Sequence, residues 1–327
     1  MYFSELNSLK GIAILLVILG HSFILFPVNL LDVLWCRTAF SIIYSFHMPL
    51  FFIVSGLLFA NSTHKEYSLV IKSKVKRLVL PYVSYHMLTL GMKVFMPNLV
   101  NRKIESLQDF SMEVMLRGGE LWFLYVLFLL FIVWGAILPR INKNRNYVLL
   151  LVVVLLLGKL TQYIGIGDLF LYKEFLFYSF FFVGGYCCLP YYKQAGDFFK
   201  LNSNRLIFAT LSCFILVHSV LYLYAGLDLK YISALIGILL SLSLALKLGD
   251  SNKINSFLNY CGLNSLQFYF FNGFMLVVSR TIVIKLLNVT NSVSIVFGIF
   301  ILCVMTEFVC IEISKKIPFV RQCVGFK

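Results

Sequence analysis

Ten stretches of mostly apolar residues follow one another along the chain, at roughly 9–31, 38–60, 78–97, 120–139, 146–164, 169–189, 205–225, 229–247, 263–286 and 291–314. About 20 such residues in a helix cross the hydrocarbon of a bilayer. Backbone groups in lipid must be bonded within their own segment, which leaves helices as the form for runs of this length. Composition excludes the soluble alternative: 60% of the 327 residues are apolar and 13% charged, against about 45–50% and about 25% in soluble domains. The expected fold is therefore all-α, a polytopic integral membrane bundle of about ten transmembrane helices. It forms one membrane-embedded domain over 1–327 with short connections.

An even number of spans puts both termini on one side. With that side cytoplasmic, the inner segments hold 18 of the 28 Lys and Arg residues, including Lys65, Lys72, Lys74, Lys76 and Arg77, and Arg140, Lys143 and Arg145. This is the sense of the positive-inside rule, and it accounts for the net charge of +14 by membrane topology and lipid contact, without nucleic acid. The first stretch lacks a small-residue cleavage site ahead of a polar region and is expected to be a retained span. The eight cysteines have neither C-x-x-C nor zinc spacing with histidine, so they read as small apolar residues of helices, with no metal expected.

Lys10 and His21 lie eleven residues apart in the first span. At about 100° per residue they share one helix face, separated by about 16 Å of rise. Lys10 then stands at the cytoplasmic mouth and His21 at mid-membrane. An ionisable group at that depth is a functional candidate by default, with packing between helices as the bland alternative; imidazole is also the side chain suited to proton transfer near neutral pH. The second span contains Pro49 and Gly56 beside His47 and Ser55. Proline frees a backbone carbonyl and glycine admits a neighbouring helix, so this segment either kinks toward a polar centre or simply packs. Lys72, Lys74, Lys76 and Arg77 then concentrate positive charge at the inner surface. Such a cluster suits the phosphates of a soluble nucleotide-bearing donor or those of anionic lipid.

Together these segments resemble the acyltransferase-3 family of polytopic membrane O-acyltransferases. The resemblance rests on Lys10-Gly11-Ile12-Ala13 with His21, on Phe-His-Met-Pro-Leu-Phe-Phe-x-x-Ser-Gly at Phe46–Gly56, and on Lys74-x-x-Arg77 followed by Leu78-x-x-Pro81-Tyr82. It continues through Leu121-Trp122-Phe123-Leu124, Phe181–Tyr186 and Asn264–Tyr269, in order across the chain. It implies acyl transfer, usually of acetyl from acetyl-CoA to a hydroxyl of a glycan or lipid-linked sugar, with succinyl as another acyl group. It implies His21 as the catalytic residue, with Lys10, Lys74, Lys76 and Arg77 handling the donor. The chain departs from the family at Leu127, where longer members carry Glu, at Asn272, where many carry His, and at Lys10 and Lys74, where Arg is frequent.

His21 is then a general base or a transiently acylated nucleophile. Ser22, Ser55 and His47 are candidate stabilisers of the oxyanion. Glu120, directly before Leu121-Trp122, is the remaining carboxylate candidate: it orients His21, meets an acceptor hydroxyl, or forms an interfacial ion pair. Trp122 stacks on a sugar or belongs to the aromatic belt, and Asn272 and Arg280, about 80° apart on their helix, are acceptor-site candidates. Glu307 and Glu312 are read as locally paired with Lys315 and Lys316 and stay outside the site. The competing class is a transporter or flippase whose ionisable groups line a pathway. The expected home is a bacterial cytoplasmic membrane.

Overall fold

A computed structural model describes residues 4–23, 29–62, 66–95, 106–141, 145–160, 171–223, 229–248 and 253–326, which form helices and turns and no strand. Lys65 and Lys143 lie outside the described residues, as do residues 24–28 within the stretch at 9–31, the far ends of those at 78–97, 146–164 and 205–225 and the start of that at 169–189. The helices are α1 (Ser4–Phe23), α2 (Leu34–Ala60), α3 (Tyr67–Lys74), α4 (Leu80–Phe95), α5 (Leu107–Arg117), α6 (Trp122–Ile137), α7 (Arg145–Leu160) and α8 (Tyr172–Cys188). They continue with α9 (Tyr192–Leu201), α10 (Ser203–Leu223), α11 (Lys230–Leu248), α12 (Lys253–Leu263), α13 (Ser265–Arg280), α14 (Ser292–Lys316) and α15 (Pro318–Cys323).

Each of the ten apolar stretches holds one helix: α1, α2, α4, α6, α7, α8, α10, α11, α13 and α14. Seven spans within the described residues are long and apolar enough to cross a membrane, and an eighth is reached if Tyr172–Tyr191 and Gln194–Leu201 are taken as one. The protein is an all-α polytopic membrane protein. Its outward surfaces agree: on α10 the exposed positions include Phe208 at 74% and Leu216 at 64%, an arrangement suited to lipid and costly in water.

Contacts cluster into two compact units, one of residues 1–54 and 188–311 and the other of residues 55–187 and 312–327. In the first, α1 packs most extensively on α12. A Cβ on Gly11 would stand 2.0 Å from the Leu258 carbonyl oxygen, and one on Gly262 would stand 1.7 Å from that of Asn7. Two glycines thus bring the helix backbones together in an antiparallel crossing, the small-residue packing that substitutes for hydrophobic drive in lipid. Buried Ser8 Oγ donates to Asn255 Oδ1 at this crossing. α2 runs unbroken through Pro49.

The second unit is built around aromatic rings. Phe59, Phe131 and Phe182 meet with centroids 5.2 to 5.9 Å apart, and Gly56 lies against the Phe182 carbonyl, where a Cβ would fall at 1.9 Å. Trp134 Nε1–H donates to Ser179 Oγ at 2.8 Å. Between α3 and α4, residues Val75–Val79 form a π-turn. Pro81 explains it: proline has no N–H for the Arg77 carbonyl and its ring crowds that carbonyl, so the chain widens by one residue.

Candidate active site

The sequence-predicted residues fall into two groups, one in each unit. In the first unit, His21 sits in the last described turn of α1, partly exposed. Its Nδ1–H donates to Asn272 Oδ1 at 2.7 Å. Asn272 Nδ2 in turn donates to Glu307 Oε1 at 3.0 Å. Asn272 is 2% exposed and Glu307 0%, so the chain of bonds runs from a half-buried histidine into the protein interior. Cys303, one turn before Glu307, gives its thiol to the same Oε1 at 3.3 Å. Arg280 Nη2 donates to the His21 carbonyl at 3.2 Å.

Asn272 and Arg280, the acceptor-site candidates, both reach His21. They lie eight residues apart on α13, about 12 Å of rise. The short amide reaches the imidazole, while the long guanidinium stem reaches the backbone of the same residue.

Glu307 corrects the sequence reading. Local pairing with lysine holds for Glu312, whose Oε1 accepts from Lys315 Nζ at 2.5 Å. Glu307 is eight residues from Lys315, beyond the three- or four-residue reach of helical pairing, and its carboxylate is buried against Asn272 and Cys303. The signal that would have found it is a carboxylate in the apolar body of a span with no cation one turn away.

Two oxyanion candidates are already committed locally. Ser22 Oγ donates to the Ile18 carbonyl at 2.9 Å and is fully buried. His47 Nδ1–H donates to the Ile43 carbonyl at 2.7 Å and is 3% exposed. Lys10 stands half-buried on α1 next to Gly11, where α12 crosses.

In the second unit, Lys74 places its ammonium 3.8 Å from the Phe131 ring centroid, a cation–π contact. Lys76 is exposed and Arg77 half-buried, both on the π-turn. Arg77 Nε is buried with no hydrogen-bond partner among the described residues. Glu120 accepts from Tyr85 O–H at 2.5 Å, and it follows Gly118 and Gly119, whose left-handed φ values of 73° and 54° end α5. Trp122 stacks on Tyr178 at 5.7 Å. Ser55 is half-buried on α2, and Leu127, where longer family members carry Glu, is buried in α6. Among the described residues no group of His, Cys, Asp or Glu is arranged to hold a metal ion.

These features define a helical membrane protein with an imidazole near the described end of a candidate span, held by a buried amide that a buried carboxylate accepts from in turn, a centre fit for proton transfer or nucleophilic attack. The chain belongs to the acyltransferase-3 family: the family's acyltransferase domain matches residues 3–309. It is similar to the nodulation protein NolL of Mesorhizobium japonicum, at 34% identity over 38% of this chain and 32% of that protein. NolL of Sinorhizobium fredii is 32% identical over 36% of this chain and 31% of that protein. The chain spans about a third of the length of the curated relatives it matches. No solved structure matches.

Proposed function

We propose that the protein is a membrane-bound O-acetyltransferase that moves an acetyl group from cytoplasmic acetyl-CoA to a hydroxyl of a cell-surface or lipid-linked glycan, in a bacterial cytoplasmic membrane with both termini inside. The observation that carries this reading is the 2.7 Å bond from His21 Nδ1–H to Asn272 Oδ1. With one ring nitrogen committed as donor, Nε2 is the acceptor. As general base, Nε2 takes the proton of the acceptor hydroxyl while its oxygen attacks the thioester carbonyl; the C–S bond breaks and the CoA sulfur leaves, collecting the proton from the imidazolium. As nucleophile, Nε2 holds the acetyl group between two such steps. Both routes need the same tautomer. The family membership supports acyl transfer, and the exposed and half-buried cations Lys76, Lys74 and Arg77 support a phosphate-bearing donor.

The test is transfer of radiolabel from acetyl-CoA, and from succinyl-CoA in parallel, to extracted cell-envelope glycan by the purified protein. His21→Ala is expected to lower the rate by about 100-fold or more. Lys74→Ala with Arg77→Ala is expected to raise KM for acetyl-CoA with a smaller change in kcat. Absence of transfer from either donor by the wild type, together with loss of glycan export in cells lacking the protein, would replace this reading with transport.

A further inference from the structure

A carboxylate that packing does not require, set in the body of an apolar helix, demands an account. Glu307 lies on α14, has no exposed surface, and is 35 residues from its partner Asn272. Burying it is costly unless something is gained from it.

The two donors that reach it settle which way each group points. Asn272 Nδ2 and the Cys303 thiol both converge on Oε1, while Oε2 is buried with no hydrogen-bond partner among the described residues. As part of a carboxylate, Oε1 only accepts. A side-chain amide beside such an oxygen has one favourable orientation, with its NH2 toward the carboxyl and its carbonyl away. Turned over, it would set Asn272 Oδ1 against Glu307 Oε1, two acceptors in contact in a low-dielectric interior. The carbonyl thus held faces His21 Nδ1, and a carbonyl accepts and never donates. The ring must carry its proton there.

We propose that Glu307 is a positioning residue: acting through Asn272, it fixes the His21 imidazole as its Nδ1–H tautomer and leaves Nε2 to meet the substrate. The amide passes on orientation and not a proton, because neither of its groups gains or loses one along the way. This rests on the acetyl-transfer reading for its catalytic consequence, though the tautomer itself is a property of the protein alone.

The experiment is nitrogen-15 NMR of the full chain labelled on histidine, in lipid nanodiscs at alkaline pH, with His21→Gln used to identify the His21 signals, joined to steady-state kinetics. The wild type is expected to show His21 protonated at Nδ1 and bare at Nε2. Glu307→Gln keeps the shape but supplies a carboxamide that can face either way, so Asn272 can turn over: the His21 signals shift toward a mixture containing Nε2–H. In that variant kcat falls by about 10- to 100-fold while KM for acetyl-CoA holds. In an Asn272→Ala background, Glu307→Ala costs little more, because the path is already cut.

The proposal is overturned by an Nε2–H tautomer in the wild type, a measurement that needs no variant to fold. It is equally overturned if Glu307→Gln changes neither tautomer nor kcat, or if the two alanine losses multiply as independent ones do. A tautomer shift in a protein that transfers no acetyl group upholds the role of Glu307 and removes the acetyltransferase reading, so the two ideas fail separately.

Discussion

Arg280 illustrates how one long side chain steadies another residue's backbone. Its Nη2 donates to the His21 carbonyl at 3.2 Å, in the last described turn of α1. A hydrogen bond to a charged group contributes about 1.5–3 kcal/mol. Arg280→Met is therefore expected to lower the thermal midpoint of the purified protein and to reduce kcat, with Arg280→Lys recovering the charge but not the forked reach. An unchanged midpoint in the methionine variant would show that the contact contributes nothing. At this scale the sequence made His21 conspicuous, because an imidazole eleven residues from a lysine in an apolar run is costly unless used. Asn272 and Arg280 were legible as polar groups within a span but not as partners of His21, since 251 and 259 residues separate them from it. Glu307 was hidden by two neighbouring lysines, of which Lys315 pairs with Glu312.

The crossing of α1 and α12 shows what the elements require of single positions. Cβ atoms on Gly11 and Gly262 would meet backbone oxygens at 2.0 and 1.7 Å, and backbone cannot step aside as a side-chain tip can. Gly11→Ala or Gly262→Ala is expected to push the helices apart at a cost of about 1–3 kcal/mol or more, seen as lower recovery of monodisperse protein on size-exclusion chromatography after heating. Gly91 and Gly196 serve as controls. A Cβ at either meets nothing within 4 Å, and alanine there should be neutral or stabilising by about 0.5–1 kcal/mol through helix propensity. Equal losses at all four positions would remove the crossing from the argument. The ten apolar stretches announced their helices because length and hydropathy alone decide that question in lipid. α12 did not announce itself: Lys253, Asn255 and Asn259 lower the apolarity of an eleven-residue segment, and only its partner α1 shows that Asn255 is an inward-facing residue. The π-turn at Val75–Val79 follows from Pro81, whose crowding of a carbonyl four residues back was available in the sequence though its outcome was not.

For the molecule as a whole, donor and acceptor are expected to lie on different sides of a membrane. On the proposed topology the positive-inside rule puts the inner segments in the cytoplasm, and Lys74, Lys76 and Arg77 belong to one of those segments. Acetyl-CoA is large and multiply charged and does not cross a bilayer unaided. Membrane vesicles of opposite orientation therefore separate the possibilities. Inside-out vesicles present the Lys74–Arg77 segment to the added medium and are expected to transfer label from external acetyl-CoA; right-side-out vesicles from the same cells are expected to do so only after permeabilisation. Label transferred by intact right-side-out vesicles, and by inside-out ones only after permeabilisation, would place the donor site on the outer face and invert the assigned topology. His21→Ala in the inside-out preparation supplies the background, because it removes the proposed reacting nitrogen while leaving the proposed donor segment and its cations in place.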